Sequence, residues 1–129
     1  LCNLLPVHAN AISWVSQYLT PQTLDRIFIL YPNPYPKRRQ ANQRWHRMPF
    51  MEKLLDCLKP GGEIILATNL EYYAEEARYF FSEYWKLEEL QYEKFQIDKN
   101  GRSFQPQTHF EKKYYEAGQP VFRLRFRSE

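Results

Sequence analysis

Three short polar stretches stand where apolar runs end: His8-Ala9-Asn10-Ala11, Pro32-Asn33-Pro34-Tyr35-Pro36-Lys37, and Ala67-Thr68-Asn69. Each carries an asparagine, whose amide offers one acceptor oxygen and two N–H donors. Such groups orient a polar ligand or a nucleobase. Lys37, Arg38, Arg39, Arg44 and Arg47 put five cations and no acid into eleven residues, and Arg123, Arg125 and Arg127 alternate near the end. Clusters of this kind suit phosphate backbones, and equally a solvated face. His8, His46 and His109 share no ligand spacing, which points away from a metal site. Cys2 and Cys57 lack a CxxC spacing; both read as buried small hydrophobes, and lone thiols fit a cytosolic compartment.

The elements that must hold these groups follow from periodicity. Leu4–Val7 predicts a short strand, and Ala11–Leu19 a helix with Ile12, Val15 and Leu19 on one face, ended by Thr20-Pro21. The near-continuous apolar run Asp25–Tyr31 predicts a strand buried on both faces, stopped by the prolines at 32, 34 and 36. Arg44–Leu58 predicts a helix with Met48, Met51, Leu55 and Leu58 in a stripe. Lys59-Pro60-Gly61-Gly62 predicts a turn, and Glu63–Thr68 a second buried strand. Leu70–Trp85 predicts a helix, Leu87–Ile97 a strand with a bulge near Glu93, Asn100-Gly101 a turn, and Val121–Arg127 a strand with one apolar face. A long loop joins the last two strands. Alternating strands and helices give a parallel sheet covered by helices, here ending in an antiparallel pair. In such sheets ligands bind beyond the carboxyl ends of the strands, where the three polar stretches fall. The expected architecture is one α/β domain over residues 1–129. Hydrophobic residues make up 43% of the chain, which argues against disorder, and no apolar run reaches a membrane span.

The motifs resemble one family. Tyr31-Pro32-Asn33-Pro34-Tyr35-Pro36-Lys37-Arg38-Arg39 resembles the Pro-Asp-Pro-Trp-x-Lys-x-Arg signature of bacterial tRNA (guanine-N7)-methyltransferases. Leu58-Lys59-Pro60-Gly61-Gly62 with Ala67-Thr68-Asn69 is similar to that family's Leu-Lys-Pro-Gly-Gly and Ala-Thr-Asp. Thr108-His109-Phe110-Glu111 is similar to its Thr-x-Phe-Glu, Gly118-Gln119-Pro120-Val121 to the stretch before its last strand, and Asn10-Ala11 to its adenine contact. The resemblance implies a Rossmann-like class I fold, S-adenosylmethionine as cofactor and tRNA as partner, in the cytoplasm. It implies that Asn10, Ala11 and Asn33 meet the cofactor, with Asn33 at the catalytic centre. Lys37, Arg39, Asn69, Thr108, His109, Phe110 and Glu111 would face the RNA. The residues also have plainer readings: Asn10 and Asn69 as helix caps, Asn33 as turn chemistry, Lys37 as a solvated charge, and Thr108 with Glu111 as a local turn.

Two departures qualify the resemblance. Asn33 and Asn69 stand where the family has Asp, so each offers one acceptor oxygen where a carboxylate offers two. None of the four glycines forms a GxGxG pattern, and the chain does not begin with Met. The expectation is therefore a fold lacking its first two strands, weak binding of the cofactor by this chain alone, and a homodimer through the sheet edge thereby exposed. Beside the enzyme reading stand two others: an inactive homologue that holds RNA or a partner, and a methyltransferase with a different target base.

Overall fold

The computed structural model describes residues 3–95 and 108–129. Cys2, Ile97 and the Asn100-Gly101 turn lie outside the described residues. Four strands form one sheet: β1 (Leu24–Leu30), β2 (Leu58–Thr68), β3 (Glu88–Phe95) and β4 (Val121–Arg127), in the spatial order β1-β2-β4-β3. β1 and β2 are parallel, whereas β4 is antiparallel to both β2 and β3. Three strands thus point one way and β4 opposes them.

Alternation decides which side chains meet. Ile27 and Ile29 register with Ile64 and Leu66, which register with Phe126 and Leu124. This face carries the core, and helices α1 (Ala11–Tyr18), α2 (Phe50–Asp56) and α3 (Glu71–Tyr79) cover it through Val15, Met51, Leu54, Tyr73, Ala74 and Ala77. Phe81 is fully buried, its ring 5.2 Å from that of Phe126. The opposite face presents Arg26, Phe28, Ile65 and Arg125 along a shallow groove. Helix α4 (His109–Glu116) reaches that face at its carboxyl-end corner, where Glu111 meets Arg123.

Several expectations are corrected. Leu4–Val7 is not a strand: these residues have no neighbour to pair with among the described residues, and Leu4, Leu5 and Val7 are exposed. β1 is an edge strand with only Ile29 buried, and Phe28 is 59% exposed. The Arg44–Leu58 helix is shorter: a 3-10 helix spans Arg38–Gln43, turns follow, and α2 starts after Pro49, which has no N–H for an upstream helix to use. Lys59–Gly62 lies inside β2 as a bulge, four residues opposite one between Leu24 and Arg26. Gly61 takes φ +78 there, and a Cβ on Gly62 would lie 2.8 Å from the Lys59 carbonyl oxygen, so both positions require glycine. The Leu70–Trp85 helix changes to a π-helix over Phe80–Tyr84. The register break in β3 falls between Glu89 and Gln91 rather than near Glu93. Part of the expected final loop is α4, which ends in a Schellman-type turn: Gly118 has φ +78 and Gln119 N–H donates to the Tyr114 carbonyl.

Candidate active site

The carboxyl ends of β1 and β2 lie side by side, with Leu30 opposite Ala67 and Tyr31 N–H donating to the Ala67 carbonyl at 2.8 Å. This register brings the loop after Tyr31 next to Thr68 and Asn69. Tyr31 also packs its ring against Phe110 and Tyr114 of α4, at 6.0 and 5.4 Å. Asn33, Asn69 and the Thr108–Glu111 segment therefore share one corner of the sheet. Tyr31 and Tyr35, which bracket Pro32-Asn33-Pro34, have φ of 52 and 42. The left-handed region costs a non-glycine residue about 1–2 kcal/mol, and strain kept in this way clusters at functional sites.

Asn33 is exposed, and its Oδ1 accepts from Tyr35 N–H at 3.1 Å. The turn reading is thus realised, and the oxygen is partly used within the loop. Asn69 does not cap α3: Leu70 N–H is met by Thr68 Oγ1, and Asn69 Nδ2 donates to Gln119 Oε1 at 3.1 Å. Asn10 does cap α1, its Oδ1 accepting from Ile12 and Ser13 N–H. Thr108 Oγ1 accepts from Glu111 N–H at 3.0 Å, so this pair also makes the local turn. The Glu111 carboxylate is buried and forms a two-point ion pair with Arg123, whose Nε lies 3.1 Å from Oε2. Burial, and then the adjacent Glu111 carboxylate, push the Tyr31 phenol far above its ordinary range. Phe110 and His109 are exposed at the same corner.

The two basic clusters separate in kind. Arg123, Arg125 and Arg127 are paired with Glu111, Glu63 and Glu88, so their charge is matched within the protein. Arg44 is 8% exposed and also structural. Its Nη1 takes both oxygens of Glu76 at 2.8 and 2.9 Å, while Nε and Nη2 donate to the carbonyls of Tyr35 and Pro36. One guanidinium thus fastens the proline loop to α3. Glu76 also takes His46 Nε2 at 2.8 Å. Burial opposes the Glu76 charge, but the hydrogen bonds from His46 and Arg44 outweigh it and hold this carboxyl below its ordinary range; burial holds fully enclosed His46 below its own. Arg38, Arg39 and Arg47 line an open cleft of about 570 Å³, and exposed Lys37 precedes them. The pairings of Arg44 and His46 with Glu76 and of Arg123 with Glu111 are not visible in the sequence, because the partners lie 12 to 32 residues apart.

A second cleft of about 410 Å³ runs along β1, lined by Ala11, Val15, Ile29, Leu30, Pro32 and Trp45 among others. Its walls suit the flat adenine ring of a nucleoside sulfonium. Among the described residues, Arg26 is the one charged group lining it, and none of them brings a carboxylate there to hold ribose hydroxyls. The fit to S-adenosylmethionine is therefore good for the ring and incomplete for the sugar.

Comparison with known proteins gives a consistent answer. A family model described as "Putative methyltransferase" matches residues 1–124. The tRNA (guanine-N(7)-)-methyltransferase of Nitrosococcus oceani is 32% identical over 126 residues, covering 97% of this chain and 50% of that protein. The enzyme of the same description from Neisseria meningitidis is 31% identical over 125 residues, covering 97% and 51%. The chain spans about half the length of these curated relatives. Among solved structures, a SAM dependent methyltransferase from Archaeoglobus fulgidus matches with a TM-score of 0.54 at 10% identity, over 95% of this chain and 66% of that one; this likeness shows the shared α/β fold alone.

Proposed function

The chain belongs to this methyltransferase family, and from that premise we propose that it is the substrate-facing portion of an enzyme that methylates N7 of guanine in tRNA. The observation that carries the reading is the convergence of Asn33, Asn69 and Thr108–Glu111 at one sheet corner beside the apolar cleft. S-adenosylmethionine would supply an electrophilic methyl group on its sulfonium. Guanine N7 has a lone pair and no proton, so the protein needs no general base. Its task is to orient the base and exclude water. Asn33 and Asn69 would meet the polar edge of guanine, Phe110 and His109 its face, and Lys37 and Arg39 the adjoining phosphates. Asn10 and Ala11 would flank the adenine.

Three finer claims belong to the same reading. This chain alone binds the cofactor weakly, because none of the described residues brings a carboxylate to the cleft for the ribose. The unpaired edge of β1 takes a second copy of the chain. The site of action is the cytoplasm, where tRNA substrate is found. The amides favour a second reading: an inactive homologue that retains RNA, or one acting on another base, since Asn33 spends its acceptor oxygen on Tyr35. The deciding assay is methyl transfer by the full-length protein onto unmodified tRNA, with the product base identified by mass spectrometry. N7-methylguanine supports the first reading; RNA binding with no product, or a different methylated base, supports the second. Calorimetry on the 129-residue chain tests the cofactor claim, and a dissociation constant in the low micromolar range, about −8 kcal/mol, would refute it.

A further inference from the structure

An aromatic surface away from the sheet corner is left without a role by the reading above. The π-helix over Phe80–Tyr84 follows α3 directly, its signature bond running from Trp85 N–H to the Phe80 carbonyl at 2.9 Å. π-Turns are rare and recur at functional positions. Here the turn gathers Tyr79, Phe80, Tyr84 and Trp85 into a ladder with successive ring centroids 5.7, 5.8 and 4.7 Å apart. Tyr79 is 63% and Tyr84 64% exposed, so two tyrosines of the ladder stand in solvent. Between those two tyrosines, the Arg47 guanidinium lies 5.0 Å from the Phe80 centroid. Arg47 also lines the basic cleft with Arg38 and Arg39, which have no ion-pair partner among the described residues. A ledge of exposed aromatic rings thus adjoins, through Arg47, a groove in which Arg38 and Arg39 are the cations without an ion-pair partner among the described residues.

We infer that this ledge and groove bind a single-stranded segment of RNA, with bases on Tyr79 and Tyr84 and phosphates along Arg38, Arg39 and Arg47. The chemistry is that of sequence-tolerant single-strand binding, in which aromatic faces take the bases and a positive groove tracks the backbone. Charge complementarity favours RNA over an apolar protein partner. The charge of nearby Glu76 is met by Arg44, with a hydrogen bond from His46, and Glu83 on the π-turn is the remaining acid of that turn. The inference rests on the proposed function for the identity of the RNA, and on the ledge alone for the binding mode.

The test is fluorescence anisotropy of the full chain with a short fluorescein-labelled single-stranded RNA, over a range of salt. Tyr79→Ala with Tyr84→Ala should weaken binding about 5- to 150-fold per stacked base, from about 1–3 kcal/mol each, with the salt slope unchanged. Tyr79→Leu, which keeps an apolar side chain, should weaken it nearly as much. Arg38→Ala with Arg39→Ala should lower the salt slope by about one to two. Glu83→Gln should tighten binding. Wild-type affinity in the tyrosine variants overturns the inference, as does concentration-dependent self-association lost in those variants while no RNA binds. The methyl-transfer assay separates the two proposals. Ledge variants that make N7-methylguanine with an unchanged KM for tRNA sink this inference alone. Ledge-dependent RNA binding without any N7 transfer sinks the proposed function alone.

Discussion

Arg44→Met should destabilise the protein more than any surface change. The Arg44 side chain is 10% exposed and that of Glu76 is 27% exposed. Breaking a buried pair by removing one partner costs about 3–5 kcal/mol, because the other charge stays behind. Glu76 keeps His46, and Arg47 Nη1 lies 3.9 Å away, so the low end, about 3 kcal/mol, is expected. Urea denaturation measures it. Arg44→Met with Glu76→Gln should be less destabilised than the sum of the single changes, by about 1–3 kcal/mol of coupling. The pH dependence has a defined sign. His46 is held below 6.5 in the folded protein, so the unfolded chain takes up a proton first. Stability therefore falls as pH drops from 6.5 towards the folded value, at up to about 1.4 kcal/mol per pH unit. Glu76 is held below 4.5, so its contribution is complete above that pH and is lost as pH falls through its folded value. Arg44 is one of the charges that depress His46, so Arg44→Met should soften the loss that begins at pH 6.5. A loss under about 1 kcal/mol, or a wild-type profile flat from pH 6.5 down to 4.5, would refute the buried-network account.

Three further outcomes are expected. Asn33→Asp in the full-length protein should raise N7 methylation about 10- to 100-fold: a carboxylate keeps the Tyr35 bond and adds a second acceptor for guanine's N1–H and N2–H₂. An unchanged or lower rate removes Asn33 from the reacting base. Asn69→Asp should have a smaller effect and be non-additive with it, because Gln119 can turn its amide to donate to the new carboxylate; tRNA methylation kinetics decide. Lys86→Gly should stabilise by about 0.5–1 kcal/mol, a rise of a few degrees in Tm by calorimetry, because exposed Lys86 has φ 59 just past the π-helix.

What the sequence discloses is local. The Asn10 cap and the alternation of β4 depend on residues within a few positions of one another, and both are found in the structure; the β1 run forms its strand, at the sheet edge and not buried on both faces. Leu4–Val7 has the composition of a strand, but a strand exists only with a neighbour, and that depends on residues elsewhere. α2 is shortened by Pro49, a local signal that the Met48-Met51-Leu55 stripe masks. α4 is obscured by its charged residues, and Thr108 with Glu111 reads as a cap only once the helix is known. The candidate corner was legible through Asn33 and Asn69 because strand ends carry ligands. Its supports were not: Arg44 and Glu76 are 32 residues apart, and Arg123 reads as surface charge until Glu111 is seen against it.

The position of β4 has a consequence for how the chain is made. The strand that comes last among the four lies in the interior of the sheet, between β2 and β3. During synthesis β3 therefore emerges with no partner, and β2 keeps one side open, until residues 121–127 have cleared the ribosome. Two strands wait for residues 121–127, and that one insertion closes both gaps at once. Such long-range closure is slow and leaves strand edges exposed meanwhile. A ribosome stalled before Val121 would present a nascent chain whose half-built sheet recruits chaperones, or other strands, in place of β4.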